Sequence, residues 1–320
     1  MKFVYGAFGV QRFFLSLFIL SIGFFSGCSV ADFIGAYFNT YYNASRLFTE
    51  AETEILKAPV RLTTRTERPF LAPFDIQPQT KAKFTTVIEK CSKLLQYHPE
   101  SKLVDDALLM IGKSYYYQNE HQSAERKFKE LLESFPESDL ALETRLLLAN
   151  TYYRSNDKIS AATIARALFD DARSEKEEGI ASGAALMLAH IESENKNLQE
   201  AIAYFKTAGE LAETDGEQAD AFRLEAAHHE QLENYADAAD AFRRSEQASN
   251  DYFKVAQARI GRARMLSKLE QYQQSIALLE SLIENKNYRE LFGDIDLEIG
   301  NVYRDQKDYA SAEAQYRYVD

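Results

Sequence analysis

The sequence predicts an all-α protein in which antiparallel helix pairs repeat along the chain. Only 6 prolines and 13 glycines occur in 320 residues, a composition that suits helices. Apolar residues recur at offsets of three and four, which places them on one face of a helix. A pair of small residues twelve positions apart recurs with a period of roughly 37 residues, as in repeated helix pairs. We therefore expect one elongated array in which each pair buries its apolar face against its neighbours.

The clearest repeat covers residues 108–136. Gly112 and Ala124 are its small residues, and Tyr115 and Phe128 fill the gaps beside them. This pattern resembles a tetratricopeptide (TPR) repeat, which has small residues at its eighth and twentieth positions and a proline near its end. The resemblance implies a right-handed TPR superhelix.

Five further pairs of small residues extend the pattern to the end of the chain. They are Ala149 with Ala161, Ala189 with Ala201, Ala226 with Ala238, Ala263 with Ser275, and Gly300 with Ala312. About six repeats follow, preceded by an irregular N-terminal helix pair. The TPR array is predicted over residues 81–320, with repeats near 105–138, 142–175, 182–215, 219–252, 256–289 and 293–320.

An apolar run near the start of the chain predicts export. Residues 13–25, FFLSLFILSIGFF, follow a short basic leader and have the length of a signal-peptide core. The run ends in FSGC, which resembles a bacterial lipobox, and Cys28 is its cysteine. We expect residues 1–27 to be a lipoprotein signal peptide and Cys28 to carry covalent lipid. The alternatives are an ordinary secretory signal with an incidental cysteine and a permanent transmembrane anchor.

The residues around the lipobox also predict a location. Ser29 stands where an aspartate would favour retention in the inner membrane, so we expect a lipid-anchored protein of the bacterial cell envelope, at the outer membrane and facing the periplasm. Cys91 is the only other cysteine. It lies on an apolar helical face, so we predict a buried packing residue and no disulfide.

Two segments separate the lipobox from the array. Residues 28–57 are predicted to hold the lipidated N-terminus and an aromatic helix, whose rings either form the core of an irregular first repeat or lie at the membrane interface. Residues 58–80 contain four prolines and are predicted as a loop. A loop of this length inside an array is often functional, and we hypothesise that it folds over the groove of the array.

The segment that follows resembles one particular TPR family. Residues 81–97 are predicted to form a helix, and it ends in HPES, as the corresponding helix of the next repeat ends in FPES. These endings, together with the lipobox, resemble the outer-membrane lipoproteins of the BamD family in the β-barrel assembly machine. The resemblance implies a β-barrel assembly factor as partner.

The TPR resemblance also implies which side chains face a partner. In TPR arrays the first helix of each repeat lines the concave face, and a mixed lining of tyrosine, arginine and apolar residues suits peptide segments. The predicted partner-binding residues are Leu109, Lys113, Tyr116, Tyr117, Asn150, Tyr153, Arg154, His190, Arg223, Arg264, Asn301 and Arg304.

Charge and motif content argue against two other function classes. The formal net charge is −12, which disfavours binding to phosphate backbones, so no nucleic-acid partner is expected. His228 and His229 lack a further histidine at zinc-site spacing, and no phosphate loop or catalytic triad is evident. We expect no enzyme activity, no metal, and no cofactor other than the lipid on Cys28.

Taken together, the sequence predicts a non-enzymatic TPR lipoprotein scaffold for protein–protein interactions in the bacterial envelope, with a role in outer-membrane protein assembly. Two alternatives stay open. One is a TPR adaptor of the cell wall or of division, and the other is a lipoprotein that captures a ligand beside a transporter.

Overall fold

The computed structural model describes residues 39–56 and 70–318 of the chain. Within these ranges the chain forms fourteen α-helices and one 3-10 helix, and no strand. The predicted all-α array of helix pairs is confirmed. The predicted signal peptide, Cys28 and the first aromatic residues of the N-terminal helix lie outside the described residues.

The described chain divides into two compact units. Unit 1 comprises residues 39–56 and 74–130, and unit 2 comprises residues 70–73 and 131–318. Helix α4 crosses the boundary between them. The helices that begin in unit 1 are α1 (residues 39–56), α2 (Pro78–Tyr97), α3 (Val104–Tyr117) and α4 (His121–Ser134).

Unit 2 continues the array of helix pairs. Its first helices are α5 (Ala141–Arg154), α7 (Glu178–Glu194), α9 (Asp215–Gln231), α11 (Tyr252–Lys268) and α13 (Phe292–Asp305). Its second helices are α6 (Lys158–Glu175), α8 (Leu198–Leu211), α10 (Tyr235–Ala248), α12 (Tyr272–Ile283) and α14 (Tyr309–Tyr316). The 3-10 helix, Lys286–Leu291, connects α12 to α13.

Close approach of the two helices in a pair depends on small residues at their crossing point. A Cβ atom placed on Gly112 would lie 2.5 Å from Cε1 of Phe128, and one on Gly300 would overlap the ring of Tyr316. Alanines serve the same purpose in the other repeats, where Ala161 and Ala238 have no exposed surface. The predicted roles of these small residues are therefore observed directly.

The turn between the helices of each pair has one recurring backbone feature. A residue with positive φ follows each first helix from α3 to α13, and every one of these residues carries a side chain. In the first such turn, the backbone N–H groups of Asn119 and Glu120 donate to the carbonyls of Tyr116 and Tyr115, which ends helix α3. The residues in question are Asn119, Asn156, Lys196, Glu233, Glu270 and Lys307.

Several helix boundaries differ from those predicted, and N-terminal residues explain the differences. The predicted loop 58–80 ends at Gln77 because Pro78 is favourable in the first turn of α2. Helix α9 begins at Asp215 because the hydroxyl of Thr214 accepts a hydrogen bond from the N–H of Glu217. Asp251 caps α11 in the same way.

The first helices of unit 2 form one layer. Helix α5 contacts α7, and α11 contacts both α9 and α13, whereas α6, α8, α10 and α12 each pack against their own first helix and the first helix that follows. One surface of the first helices therefore points away from the second helices. We call this surface the inner face. The candidate functional site lies on the inner face.

Buried packing also accounts for the second cysteine. Cys91 lies on α2 with 1% of its surface exposed, and its Sγ is 3.7 Å from Sδ of Met110. It is a free thiol, and burial raises its pKa to about 12, so it is an unreactive packing residue as predicted. None of the described helices has the length and hydropathy needed to cross a membrane.

The need for a small residue where the two helices of a pair cross gives the first testable prediction. Ala201 is fully buried between α7 and α8, beside Ala189 and Phe205. Ala201→Leu should force these helices apart and lower the free energy of unfolding by about 1–3 kcal/mol, measured by urea denaturation. Ala203→Leu is the matched control, because Ala203 is exposed on the same helix. Equal stability of the two variants would contradict the crossing arrangement.

Candidate functional site

The candidate site is the inner face of unit 2. The first helices place all the predicted partner-binding residues of this unit at half-buried or exposed positions. They are Asn150, Tyr153 and Arg154 on α5, His190 on α7, Arg223 on α9, Arg264 on α11, and Asn301 and Arg304 on α13. The structure brings several of these side chains into two connected groups.

The first group begins where α5 meets α7. The Tyr153 hydroxyl donates to Oε1 of Glu194 at 2.5 Å, and Lys158 forms an ion pair with the same carboxylate. Burial opposes ionisation of Glu194, but Lys158 and Tyr153 outweigh it and hold the pKa of Glu194 below its usual value. Burial and Glu194 together raise the pKa of the Tyr153 hydroxyl. Tyr153 is therefore neutral near pH 7, and its side chain is held in place at one side of the site.

His190 lies one turn before Glu194 on α7 and contacts aromatic rings on two sides. The ring of Phe70 stacks on it, with centroids 3.9 Å apart and planes 9° apart. Phe205 of α8 meets it edge-on at 5.1 Å. Burial, with smaller contributions from His228 and Arg223, lowers the pKa of His190 from 6.5 to about 4, against the opposing effect of Glu194. The imidazole is therefore neutral near pH 7.

The neighbouring His228 is held in one orientation by its partners. Its Nδ1 donates to the carbonyl oxygen of Leu224 at 2.7 Å, because a carbonyl oxygen can only accept. Its Nε2 is hydrogen-bonded to the hydroxyl of Ser193 at 2.6 Å. His228 also contacts Phe205, at a centroid distance of 4.8 Å. This links α7 to α9 and supports the ring that packs on His190.

The second group joins α9, α11 and α13 through one arginine. Arg264 Nε is 2.9 Å from Glu298, and its Nη1 is 3.7 Å from Glu230. The Arg264 side chain is 43% exposed, so it is accessible from solvent while it bridges three helices. Burial lowers its pKa, but the two carboxylates outweigh that effect and hold the pKa above its usual value.

Asn301 continues this group along α13. Its Nδ2 donates to Glu298 at 2.8 Å, while its Oδ1 accepts from Arg304 at 3.1 Å and from the Tyr316 hydroxyl at 3.0 Å. Arg304 also pairs with Asp305. At α13 the inner face therefore carries paired charged side chains, and the arginines among them are also partly exposed to solvent.

The four predicted residues of α3 have a different environment. In unit 1, α1 covers this part of α3: Lys113 Nζ is 3.1 Å from Glu52 and lies over the ring of Phe48, and the Tyr117 hydroxyl donates to Glu52 at 2.7 Å. Leu109, Tyr116 and Tyr117 are buried. A partner could reach these side chains only by displacing residues of this chain, so their role in partner binding stays a prediction.

Sequence reasoning missed the acidic side chains of the site. Glu194, Glu230 and Glu298 supply the carboxylates that hold the predicted tyrosine and arginine, and all three lie on first helices. The helical spacing of four between His190 and Glu194 is the signal that could have found the first. Among residues 39–56 and 70–318, no group of three or more histidine, cysteine or acidic side chains could hold a metal ion.

Comparison with protein families gives the same fold class as the helix pairs. Two family models, both described as tetratricopeptide repeat, match the chain, one at residues 106–138 and the other at residues 186–252 and 260–320. The chain belongs to the tetratricopeptide repeat family. No curated protein sequence matches it.

Solved structures show the same architecture at low sequence identity. The C-terminal part of a TPR protein from Cytophaga hutchinsonii is 15% identical, with a TM-score of 0.57 over 75% of this chain and 90% of that one. Aspartyl phosphate phosphatase F from Bacillus subtilis is 16% identical, with a TM-score of 0.54 over 89% and 70%. BtubC from P. vanneervenii is 16% identical, with a TM-score of 0.51 over 63% and 87%. At this identity the likeness shows the fold alone, and the all-α TPR superhelix is confirmed.

The lowered pKa of His190 predicts a pH-dependent stability. Between pH 6.5 and 4 the unfolded chain binds a proton at this histidine and the folded chain does not, so stability falls as the pH falls through this window. The contribution of His190 should be about 1–3 kcal/mol, measured by urea denaturation at a series of pH values.

His190→Phe is the control for this assignment, because it keeps an aromatic ring against Phe70 and removes the titrating group. The variant should lose the His190 contribution and vary less between pH 4 and pH 6.5 than the wild type. An unchanged pH profile would show that His190 titrates normally in the folded protein.

Proposed function

We propose that this protein is a non-enzymatic TPR scaffold that binds partner proteins through the inner face of unit 2. The observation that carries the proposal is Arg264, a half-exposed guanidinium that is held in place by carboxylates from two other first helices. Arginine at such a position is a common anchor of protein interfaces, and its fixed geometry reduces the entropy lost on binding.

The chemistry of the inner face indicates the kind of partner. Arg264, Asn301 and Arg304 present donors to solvent near one end, and Tyr153 and His190 present apolar rings near the other. A peptide segment that carries acidic or carbonyl acceptors followed at a distance by apolar side chains would match both regions. Extended or helical segments of a partner protein satisfy this requirement.

We propose further that the scaffold works in the bacterial cell envelope, anchored by lipid on Cys28 and facing the periplasm at the outer membrane. The lipobox-like FSGC sequence supports the anchor, since a thioether to diacylglycerol requires a cysteine thiol at that place. The helix endings HPES and FPES support a role like that of the BamD family, in which the partner is a β-barrel assembly factor.

The proposed interface predicts a selective loss of partner binding. Arg264→Gln should weaken retention of a native membrane partner about tenfold, as loss of an interface arginine does. The measurement is affinity purification from detergent-solubilised membranes of the native bacterium, quantified by mass spectrometry against the wild type. Arg243→Gln is the matched control, because Arg243 is 41% exposed but lies on the second helix α10.

Two results would contradict this proposal. One is equal retention of every partner by wild type, Arg264→Gln and Arg243→Gln. The other is an equal loss in both variants, which would place the interaction outside the inner face. Thermal melting of both variants establishes that the array is intact before the comparison is made.

The proposed anchor predicts a change of cell fraction. Cys28→Ser removes the thiol that would carry the lipid, so the variant should move from the membrane fraction to the aqueous fraction on cell breakage. Mass spectrometry of the N-terminal peptide of the wild type should show an acylated Cys28. An unmodified Cys28 in the wild-type peptide would contradict the lipid anchor.

A further inference from the structure

One side chain that lies far away in sequence occupies the inner face of unit 2. The ring of Phe70 stacks on His190 of α7 at 3.9 Å and meets Tyr153 of α5 edge-on at 5.2 Å. Phe70 and the adjacent Leu71 pack against a buried cluster that includes Ala149 and Met187. We call the space between Tyr153 and His190 the aromatic slot.

The walls of the aromatic slot are fixed by residues other than Phe70. Tyr153 is held by Glu194, and His190 is supported by Phe205, which in turn packs on His228. A slot whose walls have their own partners keeps its shape when its occupant leaves. It is therefore preorganised for an aromatic side chain.

The resident segment is held in the slot at a conformational cost. Leu71 has a φ of 49°, in the left-handed region that is unfavourable for a residue with a side chain. Phe70 and Leu71 are only half-buried, and residues 72–77 form neither helix nor strand. Release of this segment would relieve the strained backbone, and it would break the two ring contacts of Phe70.

We propose that the aromatic slot is the recognition site for an aromatic residue of a partner's extended segment, and that Phe70 is its internal competitor. This inference rests on the proposed function, in which the inner face binds partner proteins. The partner segment carries a phenylalanine or tyrosine followed by a leucine-like residue, the chemistry that Phe70 and Leu71 display in the slot. Binding of the partner displaces residues 70 and 71.

Tethering makes the internal competitor selective. A segment of the same chain is present at an effective concentration on the order of millimolar. An isolated aromatic peptide at micromolar concentration is therefore excluded. A partner that also engages Arg264 gains enough additional affinity to displace Phe70. The slot then admits only partners that match both ends of the inner face.

The first test measures occupancy of the slot with no partner present. The chain contains no tryptophan, so Phe70→Trp provides a single fluorescent reporter. Its emission should be blue-shifted and protected from acrylamide quenching, and adding His190→Ala should reverse both. Phe74→Trp is the matched control, because Phe74 is also half-buried but packs on Tyr116 and Tyr117 of unit 1. A Phe70→Trp emission that does not respond to His190→Ala would overturn the inference.

The second test measures competition directly. A fluorescent peptide with the sequence TERPFLAP, residues 66–73, is titrated by anisotropy against wild type and Phe70→Ala. The emptied slot should bind it about tenfold more tightly than the wild type does. A peptide with alanine in place of its phenylalanine should not bind. Equal affinity for both proteins, or for both peptides, would overturn the inference.

These results separate the inference from the proposed function. If Arg264→Gln weakens partner binding but the TERPFLAP peptide does not bind Phe70→Ala more tightly than the wild type, the scaffold proposal stands. The proposal that the aromatic slot recognises an aromatic residue is then wrong. If the TERPFLAP peptide binds the emptied slot but no partner depends on Arg264, the aromatic slot binds an occupant of the predicted chemistry. The proposal that partners bind through Arg264 on the inner face is then wrong.

Discussion

The close approach of two helices within each pair is the constraint on which the rest of the structure depends. At Gly112 and Gly300 even a methyl group would overlap an aromatic ring of the second helix. At the other crossings, fully buried alanines keep the same separation. Because each first helix is drawn against its second helix in this way, α5 also meets α7, and α11 meets both α9 and α13, so side chains from consecutive repeats lie side by side. The inner face is thus a consequence of small residues that never touch a partner.

The charges on the inner face are satisfied before any partner arrives. Arg264 already has Glu230 and Glu298, and Glu194 already has Tyr153 and Lys158. A binding partner exchanges one set of polar contacts for another, so the charged residues contribute to selection among partners as well as to affinity. Apolar contacts supply the rest of the affinity, and the rings around His190 are the apolar part of this surface.

Sequence reasoning succeeded where the determinants are local. The paired small residues and the rings of Phe128 and Tyr316 follow from helical periodicity and sterics, so the repeat register was readable. The caps at Thr214 and Asp251 were also readable but were overlooked. The contact of Phe70 with His190 was not readable in detail, because it depends on tertiary packing between residues far apart in the chain. The four prolines of residues 58–80 predicted a loop, and we hypothesised that it folds over the groove, but the sequence did not indicate that Phe70 would contact the inner face.

The links between consecutive first helices in unit 2 are sensitive to salt. Lys254 with Asp220, Arg264 with Glu298 and Lys268 with Asp305 each join neighbouring first helices, and all are partly exposed to solvent. Dissolved ions screen such links but leave the buried contacts between first and second helices intact. A rise in ionic strength therefore weakens the direct links of α11 to α9 and α13 more than the apolar packing within each helix pair.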